Sequence, residues 1–110
     1  MPQLTPLNGG DQWVEFKITP YNNPFAWLTV TAMGDISRGT VVRVECSSPI
    51  DGGVYYPIRT IYASEMLMNA AGTWPVFRDH FQVPPNYTYR IGVPLNLWVP
   101  GDTVFVGLEA

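Results

Sequence analysis

One cysteine, one histidine, six basic residues and a charged fraction of only 14% leave this chain of 110 residues few kinds of chemistry. Cys46 has no partner for an internal disulfide. It falls in phase with Val42 and Val44, so it reads as a small buried hydrophobe in a protein made in a reducing compartment. Any Ser-His-Asp or Cys-His device would have to run through His80, and no Gly-x-Ser-x-Gly elbow accompanies it. A structural zinc site needs three or four His and Cys ligands, and the chain owns one of each. Calcium has only Asp11 and the Asp51-Gly-Gly53 turn to draw on, and Asp51 there reads as a turn residue. Glycoside hydrolysis needs two facing carboxylates, whereas Glu15, Glu45 and Glu65 stand apart. Glu45 with Arg43 and Glu15 with Lys17 read instead as solvated charge pairs. Neither an enzyme nor a metal or cofactor site is expected.

The basic residues Lys17, Arg38, Arg43, Arg59, Arg78 and Arg90 are scattered singly under a net charge of −3. Phosphate backbones demand a positive stripe, so nucleic acid is not an expected partner. Residues 1–10 lack both a positive and an apolar leader region, and no stretch reaches bilayer-spanning length, so neither secretion nor a membrane is expected.

What the chain does have is turns and alternation. Pro84-Pro-Asn86, Pro100-Gly-Asp102, Ser48-Pro-Ile-Asp-Gly-Gly53 and similar clusters separate runs rich in Val, Ile, Thr and aromatic residues. Eight strands are predicted: Gln12–Thr19, Phe25–Ala32, Thr40–Ser47, Val54–Ala63, one from Trp74 to Val83, Asn86–Val93, one over 95–99, and Asp102–Glu109. That spacing predicts an all-β fold, a single antiparallel β-sandwich. A jelly-roll-like topology is the first choice and an immunoglobulin-like one the alternative. Pro57 and Pro75 belong at edges, bulges or strand starts, because proline gives a ladder no N–H. Ser64, the helix formers that follow and Gly72 predict a short helical turn near residues 64–72. Residues 1–10, stiffened by Pro2 and Pro6, read as an extended arm, and residues 11–110 as the domain.

Aromatics make up 14% of the chain, and their phase is its most telling feature. Successive strand residues face opposite ways. Trp13 is then in register with Glu15 and Lys17, Trp27 with Thr29 and Thr31, Trp74 with Arg78 and His80, and Trp98 with Asn96. The aliphatic residues occupy the other register. Rings on the polar face mark a surface that something covers. The expected interface is Pro2, Leu4, Pro6 and Leu7 of the arm, with Trp13, Trp27 and Trp74.

A short all-β chain with no cysteine framework, no catalytic set and an extended proline-bearing terminus resembles the decoration, or cement, proteins of tailed bacteriophages. The similarity is to the small cement proteins of epsilon-fifteen-like short-tailed phages, and it lies in length and pattern. It implies a homo-oligomer (dimer or trimer) made in the host cytoplasm, seated on the capsid exterior of the virion, and bridging major capsid protein subunits or a comparable scaffold. A carbohydrate-binding β-sandwich module, stacking sugars on exposed Trp and Tyr, is the alternative.

Overall fold

The computed structural model describes residues 4–7, 9, 11–18, 26–36, 39–68, 72 and 74–110. These form nine strands: β1 Thr5–Leu7, β2 Gln12–Lys17, β3 Ala26–Asp35, β4 Val42–Ser47, β5 Tyr56–Ile61, β6 Leu67–Met68, β7 Pro75–Val83, β8 Thr88–Val93 and β9 Thr103–Glu109. Two antiparallel sheets result, ordered β1-β9-β3-β7-β6 and β2-β8-β4-β5. The expected sandwich is therefore present. Its filling is the aliphatic register: Leu28 and Val30 of β3, Val42 and Val44 of β4, Ile91 and Val93 of β8, and Val104 and Val106 of β9 are all fully buried. Burying each such side chain stabilises the fold by about 1.5–3 kcal/mol, and β-branched residues fit the pleated surface without losing rotamers.

The strand order is that of the jelly roll, the first choice, and not the immunoglobulin-like alternative. Setting aside the two-residue β6 at one edge, the other eight strands alternate between the sheets as β1-β9-β3-β7 and β2-β8-β4-β5, the two interlocked Greek keys of that fold. The C-terminal strand β9 is thereby drawn in beside β3, and β2 lies beside β8. Each docks where a glycine lets the backbones come close. A Cβ on Gly92 would run into the carbonyl of Gln12 in β2, and one on Gly34 into that of Thr103 in β9.

Three local expectations change. Leu95–Leu97 is a 3-10 turn and not a strand, led in by Pro94 at φ −60°. The helical turn expected near 64–72 is a single 3-10 turn at Ala63–Glu65, after which Leu67–Met68 extends to pair with Val76 and Pro75. Leu7 is 2% exposed and β1 pairs with Val104–Val106 of β9, so this part of the expected arm belongs to the domain. The prolines fall as expected: Pro57 lies in edge strand β5 beside a bulge at Val44/Glu45, and Pro75 opens β7.

Between β7 and β8 the chain crosses from one sheet to the other. Asn86 takes a left-handed φ of 68° there, which its short polar side chain tolerates. Tyr89, 1% exposed, then donates its hydroxyl proton to the Pro84 carbonyl at 2.8 Å. The bond pins the corner at which the chain passes between the sheets. The burial that places the ring also pushes its hydroxyl well above the usual tyrosine range, so it stays a donor. Tyr89→Phe is expected to lower unfolding free energy by about 1–3 kcal/mol in urea titration, since the Pro84 carbonyl loses its donor; an unchanged midpoint would mean the bond adds nothing.

Candidate docking surface

Alternation sorts outward side chains by sheet as well as by face. On the β1-β9-β3-β7-β6 sheet, Pro6 is the register partner of Phe105, Phe105 of Met33, Met33 of Val76 and Val76 of Leu67. One apolar residue from every strand thus stands in a single row across the outer face. Pro6 is exposed, Phe105, Met33 and Val76 are half-buried, and Leu67 is 75% exposed. Trp74 stacks on Phe105 with ring centroids 5.4 Å apart and planes at 22°, thickening the row. The neighbouring rows are polar: Thr31 and Arg78, then Glu109, Thr29 and His80. Arg78 lies over Thr31 and donates to its hydroxyl at 3.3 Å. The apolar row therefore ends sharply, and no further layer among the described residues covers it.

The other expected rings do not join it. Trp27 is on the same face, 52% exposed, with its ring 5.2 Å from that of His80. It sits six residues from Met33 along β3, roughly 20 Å at strand rise. Trp13 projects from the opposite sheet. Trp98, outside any strand, packs half-buried against the core and leaves room for Gly9 alone beneath its indole nitrogen. The four tryptophans thus do not share a surface. Of the expected interface residues, the structure brings Pro6 and Trp74 together. Leu7 is in the core, Leu4 is half-buried before β1, and Pro2 lies outside the described residues. Phe105, Met33, Val76 and Leu67 were not anticipated, although the first three could have been found by extending the same alternation.

Trp13 has a different task. Arg90 faces outward from β8, and its guanidinium lies 4.0 Å from the Trp13 ring centroid and 3.9 Å from that of Tyr55. Between the rings it donates through Nε and a terminal nitrogen to Oε1 of Glu45, at 2.9 and 2.6 Å. Glu45 is 6% exposed and also meets Arg43 at 3.6 Å. The expectation of a solvated Glu45 is corrected: the rings exclude water, and Arg90 supplies the compensating charge that a buried carboxylate requires. Glu15 likewise finds the Tyr55 hydroxyl, which donates to it at 3.4 Å. Apart from the Arg43 Nε, which is buried without an acceptor among the described residues, the charges of this face are met internally, which makes it a poorer docking surface.

The remaining candidate residues have backbone and turn roles. His80 is exposed and its backbone N–H donates to Asp79, whose side chain faces the other way. Asp11 accepts the Leu95 N–H, and Asp51 closes its turn through Val54 and Ser48. Among the described residues no three His, Cys, Asp or Glu side chains gather as a metal site would need. Burial and the nearby Glu45 charge push the Cys46 thiol upward, leaving little reactive thiolate. Searches against protein-family models, curated proteins and solved structures find no match for this chain.

Two outcomes test this description. Leu7→Ala is expected to cost about 2–5 kcal/mol in chemical unfolding, the range for a buried leucine; a stability like the wild type would return β1 to the status of a loose arm. Glu65 accepts the Tyr62 N–H at 2.9 Å and pairs with Arg59 at 2.6 Å, and these contacts, the first the larger, hold its carboxyl below the usual glutamate range. The stability it adds is complete above the ordinary glutamate value and fades as pH falls through the lowered folded value. Glu65→Gln should flatten that acid limb in melting temperatures measured against pH, and an unaltered limb would contradict the assignment.

Proposed function

We propose that the protein is a non-enzymatic assembly component that docks on a large protein scaffold through the outer face of the β1-β9-β3-β7-β6 sheet. The observation that carries this reading is the five-strand apolar row of Pro6, Phe105, Met33, Val76 and Leu67, capped by Trp74. A row this wide on an outward sheet face costs solubility unless a neighbour covers it. The low charge and the crossing polar rows suit an interface with an apolar centre and a polar rim. Together with the resemblance to phage cement proteins, the row supports a capsid decoration role, with the domain on the capsid exterior bridging major capsid subunits. Repeated copies on a symmetric shell would make modest single contacts sufficient.

The experiment is co-sedimentation of the purified chain with shells of any major capsid protein found encoded beside its gene. Wild-type protein is expected to bind. The double variant Leu67→Asp, Val76→Glu is expected to stay folded and lose at least tenfold in affinity, as burying charge at an interface centre requires. Undiminished binding by the variant would move the interface elsewhere, and absence of wild-type binding would remove the capsid reading.

The glycan alternative is favoured by one observation. Trp27 is half-exposed and flanked by His80, Gln82 and Thr29, a stacking ring beside hydrogen-bonding groups. Saturable quenching of its fluorescence by a soluble oligosaccharide, lost in Trp27→Ala, would support it.

A further inference from the structure

Among the described residues, the flank of the sandwich is open between β5 and β7. There β6, two residues long, pairs with β7 at Pro75 and Val76, while β5 is the last strand of its own sheet. Past that short cover, a pocket of about 500 Å³ enters between the sheets. This is the size of a small-molecule site. Its apolar walls include Cys46, Ile58, Phe81, Tyr87 and Tyr89, with the last two rings stacked at 6.5 Å and 25°. It lies at the far end of β7 from Val76, so nothing in it depends on the docking face.

Two charged side chains reach this pocket, Arg59 and Asp79. Arg59 is neutralised: it meets Glu65 at 2.6 Å, donates to the Thr60 carbonyl at 3.0 Å and lies 5.1 Å over the Phe77 ring. Asp79 is not neutralised. Its carboxylate accepts the His80 backbone N–H at 2.8 Å, and among the described residues it has no ion pair. In β7 it shares the inward register with Phe77, Phe81 and Val83, where a carboxylate without a counter-ion is costly. The His80 ring cannot serve as its partner, being turned to the other face beside Trp27.

A half-buried carboxylate facing aromatic walls is complementary to one kind of ligand. We infer that this pocket binds a small organic cation with an aromatic body, an aryl-alkyl ammonium, its charged nitrogen on Asp79 and its ring among Phe81, Tyr87 and Tyr89. The ammonium supplies the missing counter-charge through a charge-assisted hydrogen bond, and ring faces attract the same cation. The polar groups fix orientation while the walls supply most of the contact area.

The test is an NMR titration of the isotope-labelled full chain with phenethylammonium chloride, using 2-phenylethanol as the neutral counterpart. The cation is expected to shift the resonances of residues 79–84, 87 and 46 saturably. The neutral alcohol should bind about tenfold more weakly, as should the cation to Asp79→Asn, that being the usual effect of losing a hydrogen bond to a charged group. Asp35→Asn, on the outer face, is the control and should bind like the wild type. Equal affinity for the alcohol, undiminished binding by Asp79→Asn, or no saturable shift at those residues would overturn the inference. Should Asp79→Asn fail to fold, the comparison of cation and alcohol on the wild type still decides.

Discussion

Every structural feature of this protein follows from one constraint: two sheets must bury one register of each strand against each other, and the other register must then face away. Val30, Val44, Ile91, Val104 and Val106 take the inward places and are fully buried. A single-residue slip in any strand would exchange those residues for their outward neighbours. The two glycines at which β2 and β9 dock help to hold that register, because a side chain at Gly92 or Gly34 would strike the neighbouring strand's carbonyl. The outward faces are therefore a consequence of the core, and their chemistry is free to serve something else.

The two outward faces have used that freedom differently. One sheet spends its aromatic rings internally, clamping Arg90 between Trp13 and Tyr55 so that Glu45 can be buried with a partner. The other lines up an apolar side chain from each of its five strands and, among the described residues, leaves the row uncovered. Similar residue types thus close one face and open the other. The difference is the presence of a buried ion pair, which gives the rings something to cover. Among the described residues, the flank between β5 and β7 adds a third surface beside the two-residue β6, concave where the faces are flat.

Much of this was legible in the sequence because alternation is a local property. The strands around Val14, Val30, Val44, Phe77, Ile91 and Val106 could be drawn from spacing alone, and the single sandwich followed. Pairing is not local. Thr5-Pro-Leu7 is too short and too proline-bounded to read as a strand, and only its partner segment Val104–Val106 makes it one. Leu67–Met68 has helix-forming residues, but hydrogen bonds to β7 override that preference. Leu95-Asn96-Leu97 alternates for three residues only, which a 3-10 turn satisfies as well. Strand order does not follow from alternation, which is silent on which strands neighbour one another; the jelly-roll expectation, which rested on strand number and spacing, holds. Phase told that Trp13, Trp27 and Trp74 point away from the core without telling that Trp13 and Trp74 belong to opposite sheets, and it misjudged Trp98, which packs against the core outside any strand. Pro6 and Trp74 both adjoin Phe105, whereas Leu7 is drawn inward by a contact nearly a hundred residues distant in the chain.

The most direct measurement of the account's central claim is hydroxyl-radical footprinting read by mass spectrometry, on the free chain and on the chain bound to the proposed capsid shells. Met33, Trp74 and Phe105 are oxidised readily by such radicals and sit within the row. The account predicts that all three become protected on assembly while Tyr55 and Trp13 on the opposite sheet label as before. Protection of the Trp13 face with unchanged labelling of Met33, Trp74 and Phe105 would contradict it.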